Sequence, residues 1–123
     1  MAWKLDSGRP IYAQLVERVE LAIIAGCYKA GDKLPSVREM AVEAGVNPNT
    51  MQKAMSELER SGLVHSERTS GRFITEDGHM IEKMREDLAA AQIKEFMEKM
   101  NQMGFKKEEI LKLIQKTLEE GKK

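Results

Sequence analysis

Asn49, Thr50, Gln52, Lys53 and Ser56 fall on the face left over when Met51, Ala54, Met55 and Leu58 are assigned to an apolar stripe at helical spacing. Most exposed helices carry Glu and Lys. Amides and hydroxyls near a helix start are instead the groups that can read base edges in the major groove of a duplex. The Gln52 amide can pair with the N6 and N7 edge of adenine, which makes it the candidate base reader, while the Lys53 ammonium suits a phosphate. A solvated helix also presents a polar face, so the reading depends on the elements that hold this one.

Those elements are two short helices joined by a tight turn between Leu34 and Leu63. Ser36 after Pro35 is an N-cap signal, Glu39 three residues on completes a capping box, and Val37, Met40 and Ala41 supply the buried stripe. Gly45 stops that helix, Asn47 caps the next, and Pro48 sits at the first helical position, where a missing N–H costs nothing. The second run ends at Gly62. This is helix-turn-helix spacing. Leu63 to Glu67 and Arg72 to Thr75 then flank Arg68-Thr69-Ser70-Gly71, a short pair with a glycine-bearing tip that reads as a hairpin. After a helix-turn-helix it is a wing. Leu63, Val64, Phe73 and Ile74 are expected to pack inward, with Arg68, Ser70, Gly71 and Arg72 at the tip. A purely structural ribbon closing the core is compatible with the same pattern.

Ahead of this motif, Pro10 opens a helix running to about Ala25, with Ile11, Leu15, Val19, Ala22 and Ile23 on one stripe and Gly26 as its stop. Met1 to Gly8 is expected to be an extended or flexible arm. Tyr28 to Lys33 should form a loop that leads into a very short strand near Lys33 and Leu34. Cys27, with no His or second Cys nearby, reads as a small half-buried hydrophobe at the helix end.

The spaced blocks Pro10, Ile11, Tyr12, Gln14, Leu15; Leu34, Pro35, Ser36, Arg38, Ala41; Val46, Asn47, Thr50, Ala54, Leu58; and Gly71, Phe73, Ile74 together resemble the winged-helix domain of the GntR family of bacterial transcriptional regulators. The resemblance covers roughly the first 75 residues, and the short remainder resembles the YtrA-like subfamily. It implies that Arg38 holds a phosphate or reaches a base, and that Asn47, Asn49 and Thr50 contact backbone and bases. Repression rather than activation is likewise an implication of the subfamily. Family members usually carry a second glycine where Thr69 stands, which leaves the form of the wing turn open.

Beyond Asp77-Gly78 the palette changes. His79 to Met103 reads as one helix, with Ile81, Met84, Leu88, Ala91, Phe96, Met100 and Met103 spaced three to five apart, and about 25 residues would span roughly 37 Å. Gly104 breaks it. Lys106 to Glu120 follows, with Ile110, Leu111, Leu113, Ile114 and Leu118 apolar and Glu108 and Glu109 matching the helix dipole; the customary N-cap residue is missing, since Phe105 and Lys106 stand there. Two amphipathic helices enclose little core alone, so Ile81, Met84, Leu88, Phe96, Met100, Ile110, Leu113 and Ile114 are expected to contact a second copy in a symmetric dimer. The alternative folds them back on their own domain.

Twenty Lys and Arg balance twenty Asp and Glu over 123 residues, so the formal charge is zero, where a DNA-binding domain is often plainly basic. Neutrality predicts weak non-specific affinity. The single Cys27 excludes an internal disulfide framework, and the lack of an apolar N-terminal run argues for a cytoplasmic protein without a membrane span. His65 and His79 lie apart, no metal-ligand spacing occurs, and neither a phosphate loop nor a nucleophile elbow is present. No enzyme, metal or cofactor is therefore expected.

The resulting expectation is a mainly α fold with a small β-hairpin, a winged helix-turn-helix over residues 1–77 followed by a two-helix dimerisation tail over 78–123. Its function is that of a repressor binding an inverted-repeat operator as a homodimer, through Arg38, Asn47, Asn49, Thr50, Gln52, Lys53, Ser70, Gly71 and Arg72. A protein-interaction module or a small-molecule sensor, with an effector of unknown chemistry, are the rival readings.

Overall fold

Local capping fixes where the central helices begin and end. In the computed structural model, which describes residues 3–122, the Ser36 hydroxyl accepts from the Glu39 N–H at 3.1 Å and starts α2 (Val37–Ala44). Gly45 closes α2 at φ 71°, a left-handed conformation that a side chain would strain. Asn47 Oδ1 accepts from the Asn49 N–H at 2.8 Å and opens α3 (Pro48–Arg60), with Pro48 in its first turn. Before them stands α1 (Ile11–Ile24), and after them β1 (Val64–Glu67), β2 (Gly71–Ile74), α4 (Gly78–Gln102) and α5 (Lys107–Glu120). The order and type of the elements match the pattern expected from periodicity and caps.

The apolar stripes of the first three helices meet. Leu15, Val19 and Ile23 of α1, Met40 and Ala41 of α2, and Met51, Ala54, Met55 and Leu58 of α3 form one buried cluster with Leu34, Leu63, Val64 and Ile74. Strands β1 and β2 pair antiparallel with Val64 opposite Ile74 and His65 opposite Phe73. Successive strand residues point to opposite faces, so Phe73 cannot share the inward side with Ile74. It is only half-buried and stacks on His65, with ring centroids 6.0 Å apart, which corrects the expectation that both would pack inward. The very short strand expected near Lys33 is a single bridge, Lys33 to Phe73, flanked by bonds from the Leu34 N–H to the Arg72 carbonyl (2.9 Å) and from the Ile74 N–H to the Asp32 carbonyl (2.8 Å).

Residues 3–9 are not a loose arm. Gln14, 3% exposed, accepts from the Asp6 N–H at 2.6 Å and donates to the carbonyls of Asp6 (2.5 Å) and Arg9 (3.0 Å), while Trp3 and Leu5 pack on the core. A buried amide must be satisfied, and here the incoming chain satisfies it. Met1 and Ala2 of the expected arm lie outside the described residues. Cys27 is exposed rather than half-buried.

Contacts divide the chain inside α4, into a unit through Arg85 and a unit from Glu86. The winged unit thus keeps the start of α4, because Ile81 and Met84 pack against its core; the expected boundary after residue 77 marks the start of the helix instead. In the second unit Ile110 is 1% exposed. The absent N-cap side chain of α5 is offset by Glu109, whose carboxylate reaches back to accept from the Lys106 N–H at 3.0 Å. None of the 25 residues of α4 is fully buried.

Candidate nucleic-acid interface

The first turns of α3 present their polar row outward. Asn47, Asn49, Gln52, Lys53 and Ser56 are exposed and Thr50 is half-buried. The reason is the core stripe itself: Met51, Ala54, Met55 and Leu58 take the inward positions at three- and four-residue spacing, and the intervening residues must face away. Asn47 has a second duty, because its side-chain oxygen is committed to the helix start. Lys53 Nζ lies 3.8 Å above the centroid of the Tyr12 ring, a cation–π contact that braces the ammonium beside the beginning of α1. Gln52 Nε2 donates to Ser56 Oγ at 3.4 Å, a long bond that a base edge of better geometry can replace.

A groove of about 630 Å³ opens between α2, α3 and the hairpin. It brings together Arg38 from α2, Gln52 from α3 and Ser70, Gly71 and Arg72 from the wing, five of the nine residues singled out for DNA contact. Asn47, Asn49, Thr50 and Lys53 lie outside its lining. Lys33 and Ser36 also line it, and sequence reasoning missed both as interface residues. Lys33 comes beside the hairpin through its single bridge to Phe73, a contact between separate elements that residue spacing does not announce. Lys33 and Arg38 meet one carboxylate, Glu39, in this lining, the charge of Arg72 being matched by Glu59, so a formally neutral chain still carries a small excess of positive charge where the helix face and the wing converge.

The wing turn is closed by the Ser70 N–H donating to the Glu67 carbonyl at 3.2 Å. Among the described residues no non-glycine has positive φ, so Thr69 fits this turn without the glycine that the resemblance led one to expect. Gly71, at φ 104°, is different. Lys33 Cε lies 3.2 Å from where a Cβ would be, so any side chain here is both strained and crowded. Arg72 corrects the sequence reading of the tip. Its Nε is 2.5 Å from Glu59 Oε1, and the side chains are 21% and 31% exposed, so the guanidinium is turned back onto the end of α3 instead of standing outward.

The eight residues expected to join a second copy separate into two sets. Ile81 and Met84 are half-buried against the winged core and Ile110 is buried within its own unit. Phe96, Met100, Leu113 and Ile114 line a shallow apolar groove of about 360 Å³ with Thr117 and Leu118, and Leu88 is half-buried. Phe96 is 40% exposed and Leu118 63%.

Among the described residues there is no group of three or more His, Cys, Asp or Glu placed to hold a metal, and no helix is long and apolar enough to cross a membrane. The family model for bacterial regulatory proteins of the gntR family matches residues 11–74. Over 118 residues the chain is 39% identical to the uncharacterized HTH-type transcriptional regulator YhcF of Bacillus subtilis, covering 96% of this chain and 97% of that one. Over 71 residues it is 45% identical to the HTH-type transcriptional repressor YtrA of the same organism, covering 58% of this chain and 55% of that one. A solved GntR family transcriptional regulator from Listeria monocytogenes superposes with a TM-score of 0.87 at 39% identity, covering 91% and 98% of the two chains. These relatives are regulators and not enzymes. The helix-turn-helix, its wing and these matches agree: the chain belongs to the GntR family, as a DNA-binding transcriptional regulator of the YtrA-like kind.

Proposed function

We propose that the protein is a repressor that binds an inverted-repeat operator as a homodimer, with the helical unit joining the two copies. The observation that carries the reading is the convergence of Arg38, Gln52, Ser70 and Gly71 on one groove beside the exposed start of α3. In the proposed complex α3 enters the major groove, Gln52 pairs with an adenine edge, and Arg38, Lys53 and Lys33 meet phosphates. Asn49 and Thr50 contact backbone and bases at the helix start. The wing tip at Ser70 and Gly71 follows the adjacent groove, where the absence of a side chain on Gly71 permits close approach.

Dimerisation is supported by Phe96, Leu113, Ile114 and Leu118, which stay 36–63% exposed on the second unit. Apolar side chains clustered in this way mark a surface that a partner covers. The zero net charge fits the same reading: each copy holds few phosphates, so useful affinity requires two linked copies. Repression is supported by the relative YtrA, which is a repressor. The test is a selection of bound duplexes from a random library with the purified protein, joined to sedimentation of the free protein. Inverted repeats whose half-site centres lie about 34 Å apart, bound by a dimer, are expected; a pool without sequence enrichment, or a monomer at micromolar concentration, would refute the proposal.

A further inference from the structure

Both strands of the wing are tied to the recognition helix at one carboxylate. Glu59, in the last turn of α3, accepts from Arg72 Nε at 2.5 Å and also from the Ser66 hydroxyl. Ser66 and Arg72 face each other across the β1–β2 ladder, so Glu59 grips the two strands at the same rung. The group is half-buried, a setting in which a charge-assisted bond is stronger than in open water. The Ser66 hydroxyl, and then the Arg72 guanidinium, hold the Glu59 carboxyl below the usual carboxylate range. An isolated two-stranded hairpin is marginal in water, so this wing needs outside attachment. The backbone of β2 is held by residues 32–34, through the Leu34 N–H to Arg72 carbonyl bond and the Lys33 to Phe73 bridge. Side chains add the second attachment, and it runs to α3.

We infer that Glu59 is a positioning residue for DNA binding: by gripping Arg72 and Ser66 it locks the wing to the recognition helix, so that tip and helix face reach the duplex as a preformed pair. The inference rests on the DNA-contact geometry proposed above. It gives Arg72 the role of the clamp's arm and leaves the phosphates to Lys33, Arg38 and Lys53. Prior ordering of the wing reduces the entropy lost on association. The two roles open to Arg72 differ in sign. Neutralising Glu59 releases a phosphate-binding Arg72 and tightens the complex, whereas neutralising the partner of a clamping Arg72 loosens it.

The experiment uses the full chain and a duplex recovered by selection. Binding by the parent is established first, so failure of the parent to select any duplex counts against the DNA geometry and not against the clamp. Affinities of Glu59→Gln, Arg72→Gln and the double variant are then measured at several salt concentrations, below the melting midpoint of each. Each single variant should lose about tenfold in affinity, the equivalent of one charge-assisted hydrogen bond. The double variant should lose no more than the weaker-binding single. In all three the slope of log affinity against log salt should flatten, because Lys33, bridged to the wing at Phe73, is no longer held at its phosphate. A role in fold stability alone lowers the melting midpoint and leaves that slope unchanged. Parental or tighter binding by Glu59→Gln, an unchanged slope, or losses that add in the double variant would overturn the inference. If Glu59→Gln melts below the assay temperature, Ser66→Ala, which removes one of the two bonds to Glu59, decides the matter by the same slope.

Discussion

The winged unit and the helical unit use the same apolar spacing and reach opposite outcomes. In the first, thirteen clustered side chains are no more than 3% exposed. In the second, Ile110 alone among the described apolar residues is buried, while Phe96, Leu111, Leu113, Ile114 and Leu118 stay 36–63% exposed. The difference is geometric. Three helices with different directions plus a ribbon enclose a volume on all sides, but α4 and α5 can cover only the strip where they touch. A stripe at three- and four-residue spacing therefore says that a face will be covered, and does not say by what. The winged unit answers within one chain; the helical unit leaves most of its apolar stripe exposed on that chain.

The comparison can be broken most severely in the core. Met51 is fully buried in the cluster that α1, α2, α3 and the hairpin share, and Met51→Ala should cost about 2–5 kcal/mol in denaturant unfolding of the winged unit; a loss under 1 kcal/mol would mean that this core relaxes around the gap. The converse experiment acts on the other unit. Phe96→Glu should leave the winged unit folded yet shift sedimentation to the monomer, with roughly a hundredfold weaker binding to a two-half-site operator. A dimer of parental strength in that variant removes the apolar groove from the interface.

Smaller effects separate groups within the winged unit. Gln52→Ala should cost about 1–3 kcal/mol at a single base position and relax the preference there; equal selectivity across single-base operator variants would strike Gln52 from the readers. The mildest perturbation is acid. Glu59 has a depressed pKa, chiefly through the Ser66 hydroxyl, so its contribution is complete above the ordinary value of 4.5 and is lost as pH falls through the lower folded value. Amide resonances of Ser66 and Arg72 should accordingly titrate with a midpoint below 4.5, and a midpoint at or above it would show the clamp open in solution.

Much of the fold is set by interactions that reach no further than a helical turn, which is why residue types alone located it. Ser36 and Asn47 as caps, Pro48 at a helix start, Gly45 as a stop, and the Met51-Ala54-Met55-Leu58 stripe each act within four residues, so reading neighbours in order was sufficient. The outward polar row of α3 followed from the same periodicity. Tertiary structure alone decided how particular polar groups are used. Arg72 meets Glu59 thirteen residues away because the hairpin register brings it there, Lys53 rests on Tyr12 because α1 packs against α3, and Lys33 joins the groove because its backbone bridges Phe73. Gln14 binding the backbone of residues 6–9 belongs with these. Side-chain type states what a group can bond to, but contacts between separate elements depend on register and packing direction, which no local spacing encodes.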